Sequence, residues 1–289
     1  MTDAPLDASG TPDASLAFVE LAAGVGIGSP APDGWEPVAG CPLLVLVGVT
    51  GVGKSTALAA MAEAGLDYCL LPDRRDLTDR LIIPSVQAQR GEPQGPLRDR
   101  KLRFEYTRAW RDRHPGGMAH ALAGLWIDPQ VQGGALLFDG LRGANEVTHA
   151  AALLPFALFV VLEAPDAVRV ARLMGRNDPF DQIGGESQPD AALDRIQHFA
   201  DIGAAEARGG FTPLEEQALL ELVRSGAVTA EALANSLQIV LEERRSYEPA
   251  AAKAALIEAA PLRTLVVDTQ RHGPEEVGAL IVRFVMQRM

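Results

Sequence analysis

Nine consecutive residues, Gly48-Val49-Thr50-Gly51-Val52-Gly53-Lys54-Ser55-Thr56, have the types and spacing that hold phosphate groups. They fit the pattern G-x-x-x-x-G-K-[ST], which gives its positions distinct tasks. The backbone through Gly48, Thr50, Gly51, Val52 and Gly53 forms a cradle of N–H groups, and a helix beginning beside it adds a favourable dipole. Lys54 would reach the β- and γ-phosphates. The Ser55 hydroxyl would bind Mg²⁺, and Thr56 would hydrogen-bond the α-phosphate. The implied ligand is ATP or GTP with Mg²⁺. A second candidate is Asp139, which closes the apolar run Ala135-Leu136-Leu137-Phe138. A carboxylate there can hold Mg²⁺ through water or orient an attacking oxygen.

These residues need a rigid frame, and the sequence around them predicts one. Leu43 to Val47 is a continuous apolar run, as expected of a strand buried on both faces of a parallel sheet. The glycine-rich turn follows, and then an alanine-rich helix from Ser55 to Ala64, closed by Gly65. Further short strands are expected at 68–71, 135–138, 156–162 and 263–267, with helices after the fourth and fifth. Alternating strands and helices predict an α/β fold, an open parallel sheet of about five strands with helices on both faces. In such sheets ligands bind at the carboxyl ends of the strands. Residues 183–247 read as a helical insert. Within it Thr212-Pro213-Leu214-Glu215 makes a capping box with Pro at the first helical position, and Thr229 can cap a second helix. Residues 1–40, rich in Ala, Pro, Gly and Asp, are expected to be a mostly flexible extension, with residues 41–289 forming the domain.

Bulk composition narrows the function. The net charge of −12 opposes an extended nucleic-acid-binding surface. The basic residues are three lysines and 23 arginines, and ten of the arginines lie between Arg74 and Arg113. A local basic cluster in an acidic chain points to a small anionic ligand. No apolar run reaches the roughly 18–20 residues that span a bilayer. Asp3, Asp7 and Asp13 stand where a secretory signal would carry basic residues, and the two cysteines are too few for a disulfide framework. The expected compartment is cytoplasmic. No Asn-Lys-x-Asp base-reading motif occurs, and lysine stands only at 54, 101 and 253, which favours ATP over GTP.

The loop identifies the chain as resembling the P-loop NTPase superfamily, and three segments resemble nucleoside monophosphate kinases of the adenylate-kinase kind. Gly134 to Arg142 is similar to a strand ending in Asp-Gly with a phosphate-binding arginine close behind. Phe159 to Asp166, then Arg172, Gly175 and Arg176, is similar to the stretch before the lid of those kinases. Arg263 to Val285 resembles their last strand and helix. The resemblance implies that Arg172 and Arg176 border a lid and clamp transferring phosphates, with Arg142 near the acceptor. It also implies that residues 73–130 carry the acceptor site, where Arg74, Arg75, Arg100, Arg103 and Arg111 are candidates, and that residues 177–250 hold the lid and the insert. After Arg176 the chain departs from the family's lid pattern.

The function expected from these readings is transfer of the γ-phosphoryl of ATP to a small anionic acceptor, a nucleotide or another phosphorylated metabolite. Its rival is a regulatory ATPase or nucleotide switch that signals to a protein partner through the insert.

Overall fold

A computed structural model of the protein describes residues 17–175 and 196–289, without the side chain of Arg100. The first described segment is structured rather than flexible. Strands β1 (Val19–Ala22), β2 (Val25–Ile27) and β3 (Glu36–Pro37) join the later strand β6 (Leu125–Ile127) in an antiparallel sheet ordered β1-β2-β6-β3. This corrects the expectation of a mostly flexible extension for residues 17–40; residues 1–16 lie outside the described residues. Arg80 ties this sheet down by donating to the carbonyls of Glu20 and Leu21.

The main sheet has five parallel strands in the order β5-β7-β4-β8-β9, formed by β4 (Leu43–Val47), β5 (Tyr68–Leu70), β7 (Ala135–Leu141), β8 (Ala157–Glu163) and β9 (Thr264–Asp268). All five residues of β4 are buried, because the sheet is covered on both sides. Leu43, Val45 and Val47 face one layer, and Leu44 and Leu46 face the other. Helix α1 (Lys54–Glu63), which leads toward β5, packs on the Leu44 side together with the last helix, α11 (Pro274–Met286). The connections running back across the sheet use the Leu43 side. They contain α2 (Arg74–Leu77), α3 (Ile83–Arg90), α4 (Arg100–Arg113), α5 (Met118–Ala123), α6 (Ala144–Leu153) and α10 (Pro249–Ala259). A single crossover hand requires this division, since connections running in opposite directions must cover opposite faces. The carboxyl end of β4, where the direction reverses, is therefore where a ligand crevice belongs.

The insert has its own core. Helices α7 (Asp166–Met174), α8 (Pro213–Arg224) and α9 (Ala230–Tyr247) bury Val170, Leu173, Leu220, Leu233, Leu237 and Val240 together. The capping box closes between Thr212 and Glu215, and the Thr229 side chain caps α9. Residues 17–38, by contrast, share the main core: Leu21, Val25, Ile27 and Val38 belong to the same apolar layer as Val45 and Phe138. No unit boundary falls at residue 40.

Candidate functional site

The loop between β4 and α1 is shaped by what holds its carbonyl groups. Arg169 Nε donates to Thr50 O at 2.8 Å, Arg172 Nη1 to Gly51 O at 3.2 Å, and Thr269 Oγ1 to Val52 O at 2.8 Å. In a trans peptide the carbonyl and the following N–H point in opposite directions. Three carbonyls held on one side therefore turn the N–H groups of Gly51, Val52 and Gly53 to the other side, the arrangement that an anion-binding concavity requires. Gly51 takes a left-handed φ of +83°, and a Cβ there would lie 3.0 Å from the carbonyl oxygen of Arg169. Gly53 caps α1 at φ +96°, and the exposed Ser55 and Thr56 follow in its first turn. Lys54 Nζ donates to Gly48 O at 2.8 Å, so the ammonium folds over the loop it would serve. This geometry fits the phosphates of a nucleotide.

Asp139 does not end its strand. β7 continues through Gly140 to Leu141, and its pairing with β4 slips by one residue between Val45 and Val47. The irregularity is a bulge, and bulges re-aim side chains. Phe138 lies in the layer opposite α1, and a Cβ on Gly140 would meet its ring at 2.4 Å. The half-buried Asp139 between them consequently shares the α1 face with Leu137. Ser55 and Asp139 are thus brought to the same end and side of the sheet.

A hollow of about 330 Å³ opens beside the loop, lined by Gly53, Thr56, Ala57, Arg172, Thr269, His272, Pro274 and Val277. Arg172 links it to the loop, because its Nη1 and Nη2 also bind Thr269 Oγ1 and Thr269 O at 2.9 and 2.8 Å. Thr269, His272 and Pro274 lie just after β9, inside the stretch that resembles the last strand and helix of nucleoside monophosphate kinases, but nothing in their own types or spacing marks them.

The expected acceptor arginines divide into two groups. Arg74 and Arg111 line a hollow of about 190 Å³ with Phe104, Trp110, Glu146 and Tyr247. Arg74 there makes a bidentate pair with Glu146, at 2.7 and 2.8 Å, and Glu146 raises its pKa against the opposing effect of burial. Arg75 and Arg103 line a separate hollow with Arg80 and Arg98, and Arg103 is paired with Asp79. The side chain of Arg100 and the whole of Arg176 lie outside the described residues, as do residues 177–195 of the 177–250 region expected to hold the lid and the insert. Tyr106 and Trp110 are buried on the inner face of α4.

Another carboxylate stands at the loop. Glu243 of α9 accepts from Thr50 N at 2.9 Å and from Thr50 Oγ1 at 2.6 Å. It also pairs with Arg142 Nη1 at 2.8 Å and with Arg169 Nη2 at 2.6 Å. Arg169 is 1% exposed and further paired with Asp166. No local sequence pattern marks Glu243 or Arg169, the first lying 193 residues from its loop partner.

No protein-family model matches the sequence, and no curated protein matches it. Among solved structures the chain is similar to shikimate kinase from Acinetobacter baumannii in complex with shikimate. The TM-score is 0.35 at 16% identity, over 86% of this chain and 95% of that one. It is also similar to TT1252 from Thermus thermophilus, with a TM-score of 0.36 at 15% identity over 86% and 98% of the two chains. The loop and the hollows beside it, rather than these distant likenesses, bear on function.

Proposed function

We propose that the protein is an ATP-dependent phosphotransferase acting on a small anionic acceptor. The observation that carries this reading is the loop itself, with three consecutive carbonyls tied back by Arg169, Arg172 and Thr269 and the next N–H groups turned toward the start of α1. The triphosphate lies along those N–H groups under Lys54, and the nucleoside occupies the hollow between Arg172 and Pro274. Ser55 and Asp139 would hold Mg²⁺, which when bound would supply neutralisation of phosphate charge. The acceptor takes the hollow of Arg74, Arg111 and Trp110, with Arg142 between it and the loop. Catalysis in such a site is mainly positioning and charge stabilisation. Lys54 and Arg142 stabilise charge on the transferring oxygens, Arg74 and Arg111 orient the acceptor's anionic group, and Arg172 stiffens the cradle.

The test is ADP production from Mg·ATP with and without a panel of nucleotides and phosphorylated metabolites, with Lys54→Ala as the blank. Turnover that depends on one acceptor and yields its phosphorylated product is expected. A second reading, a nucleotide switch with slow acceptor-independent hydrolysis, draws support from one observation: the helical insert sends Glu243 into the loop. Slow turnover indifferent to every acceptor would favour it and sink the transferase.

A further inference from the structure

We propose that Thr50, Arg142 and Arg169 form a phosphate site that Glu243 holds closed, so that the terminal phosphate of a bound triphosphate displaces the insert helix α9. The inference rests on nucleotide binding at the loop, as the transferase and the switch both do. Its basis is the donor set. One backbone N–H, one hydroxyl and two guanidinium groups converge on a single carboxylate. That is the complement a phosphoryl group takes, and a carboxylate is the side chain able to imitate it. Thr50 immediately precedes Gly51, Val52 and Gly53, so the site adjoins one end of the loop that a triphosphate would follow. Arg142 has capacity to spare. Its Nε is buried and has no hydrogen-bond partner among the described residues. A buried donor without an acceptor requires explanation, and a ligand with more oxygens than a carboxylate provides one.

The helix that delivers Glu243 is built to report its departure. Tyr247 lies four residues on, on the same face of α9, and its ring sits under both Arg142 and Arg74, 5.6 and 5.8 Å from their guanidinium carbons. Tyr247 also lines the hollow of Arg74 and Arg111. The next residue, Glu248, is the one non-glycine among the described residues with a positive φ, +42°, and Pro249 then opens α10 on the main core. Backbone held in that region is strained and marks a candidate pivot. Loss of the Glu243 contact therefore frees α9 at its carboxyl end and moves Tyr247 off the two arginines of the neighbouring hollow. Triphosphate binding and access to that hollow become coupled.

Calorimetric affinities of a non-hydrolysable ATP analogue and of ADP, each with Mg²⁺, test this in the wild type, Glu243→Gln and Glu243→Ala. Removing the tethered competitor raises the competent fraction, so the analogue should bind about 5-fold tighter or more, with a smaller gain for ADP. Equal or weaker analogue binding by the variants overturns the inference, making Glu243 a residue that only positions the arginines, and leaves the transferase reading intact. No nucleotide binding by any of the proteins overturns both. Since the variants remove a partner of a buried arginine, hydrogen exchange of the wild type supplies a check free of substitution. The analogue should slow exchange in residues 48–56 and speed it in residues 240–248. Slowing in both segments overturns the proposal.

Discussion

Lys54 and Arg172 both act on one short stretch of backbone, yet the physics predicts different failures for the two. In the proposed transfer, truncating Lys54 removes a charge from the phosphates, so Lys54→Ala should lower acceptor-dependent turnover about 100-fold or more while the fold persists. Unchanged turnover would refute the site. Arg172 donates to Gly51 O, Thr269 Oγ1 and Thr269 O behind the cradle. A lysine cannot reproduce that fork. Both Arg172→Ala and Arg172→Lys should therefore weaken nucleotide affinity by about 10-fold or more, read by calorimetry. Recovery in the lysine variant would mean that charge alone matters there. At this scale the sequence is informative where chemistry is local. The loop's glycines, lysine and hydroxyls are one contiguous string, whereas Arg169, Glu243 and Thr269 reach the loop through the fold and leave no trace in spacing.

Elements carry these residues only as accurately as they pack. Gly278 of α11 faces α1 so closely that a Cβ would stand 2.5 Å from Ala60 O, a backbone atom that cannot turn aside. Gly278→Ala should cost about 1–3 kcal/mol in denaturant unfolding and, by shifting α1, weaken nucleotide binding as well. Full stability in that variant would show that the two helices can separate without cost. The capping box at Thr212 and the all-apolar β4 are legible because each is a signal within a few residues. By sequence alone β7 ends at Asp139, and the bulge that extends it to Leu141 depends on pairing with β4 rather than on its own residues. β1 to β3 are illegible for a related reason. They are two to four residues long and acquire strand structure by pairing, directly or through one another, with β6, about a hundred residues away.

For the whole molecule that antiparallel sheet changes where the folded unit begins. Leu21, Val25, Ile27 and Val38 are each buried, in the layer that also contains Val45 of the loop-bearing strand and Leu122 of α5. Burying an aliphatic side chain contributes roughly 1.5–3 kcal/mol, and four together rival the roughly 5–15 kcal/mol by which domains are stable. Deleting residues 1–40 should therefore abolish cooperative folding rather than trim an appendage. A gentler test is Ile27→Ala, which leaves the chain length intact and should cost about 2–5 kcal/mol, lowering Tm by at least about 4 °C. Because Met118 of α5 lines the hollow of Arg74 and Arg111 and shares the core of Ile27, the same substitution should raise the KM for the proposed acceptor more than that for ATP. A variant with unchanged Tm would return residues 17–40 to the role of a dispensable extension, and the hollow of Arg74 and Arg111 would then be held without them by the helices that line it.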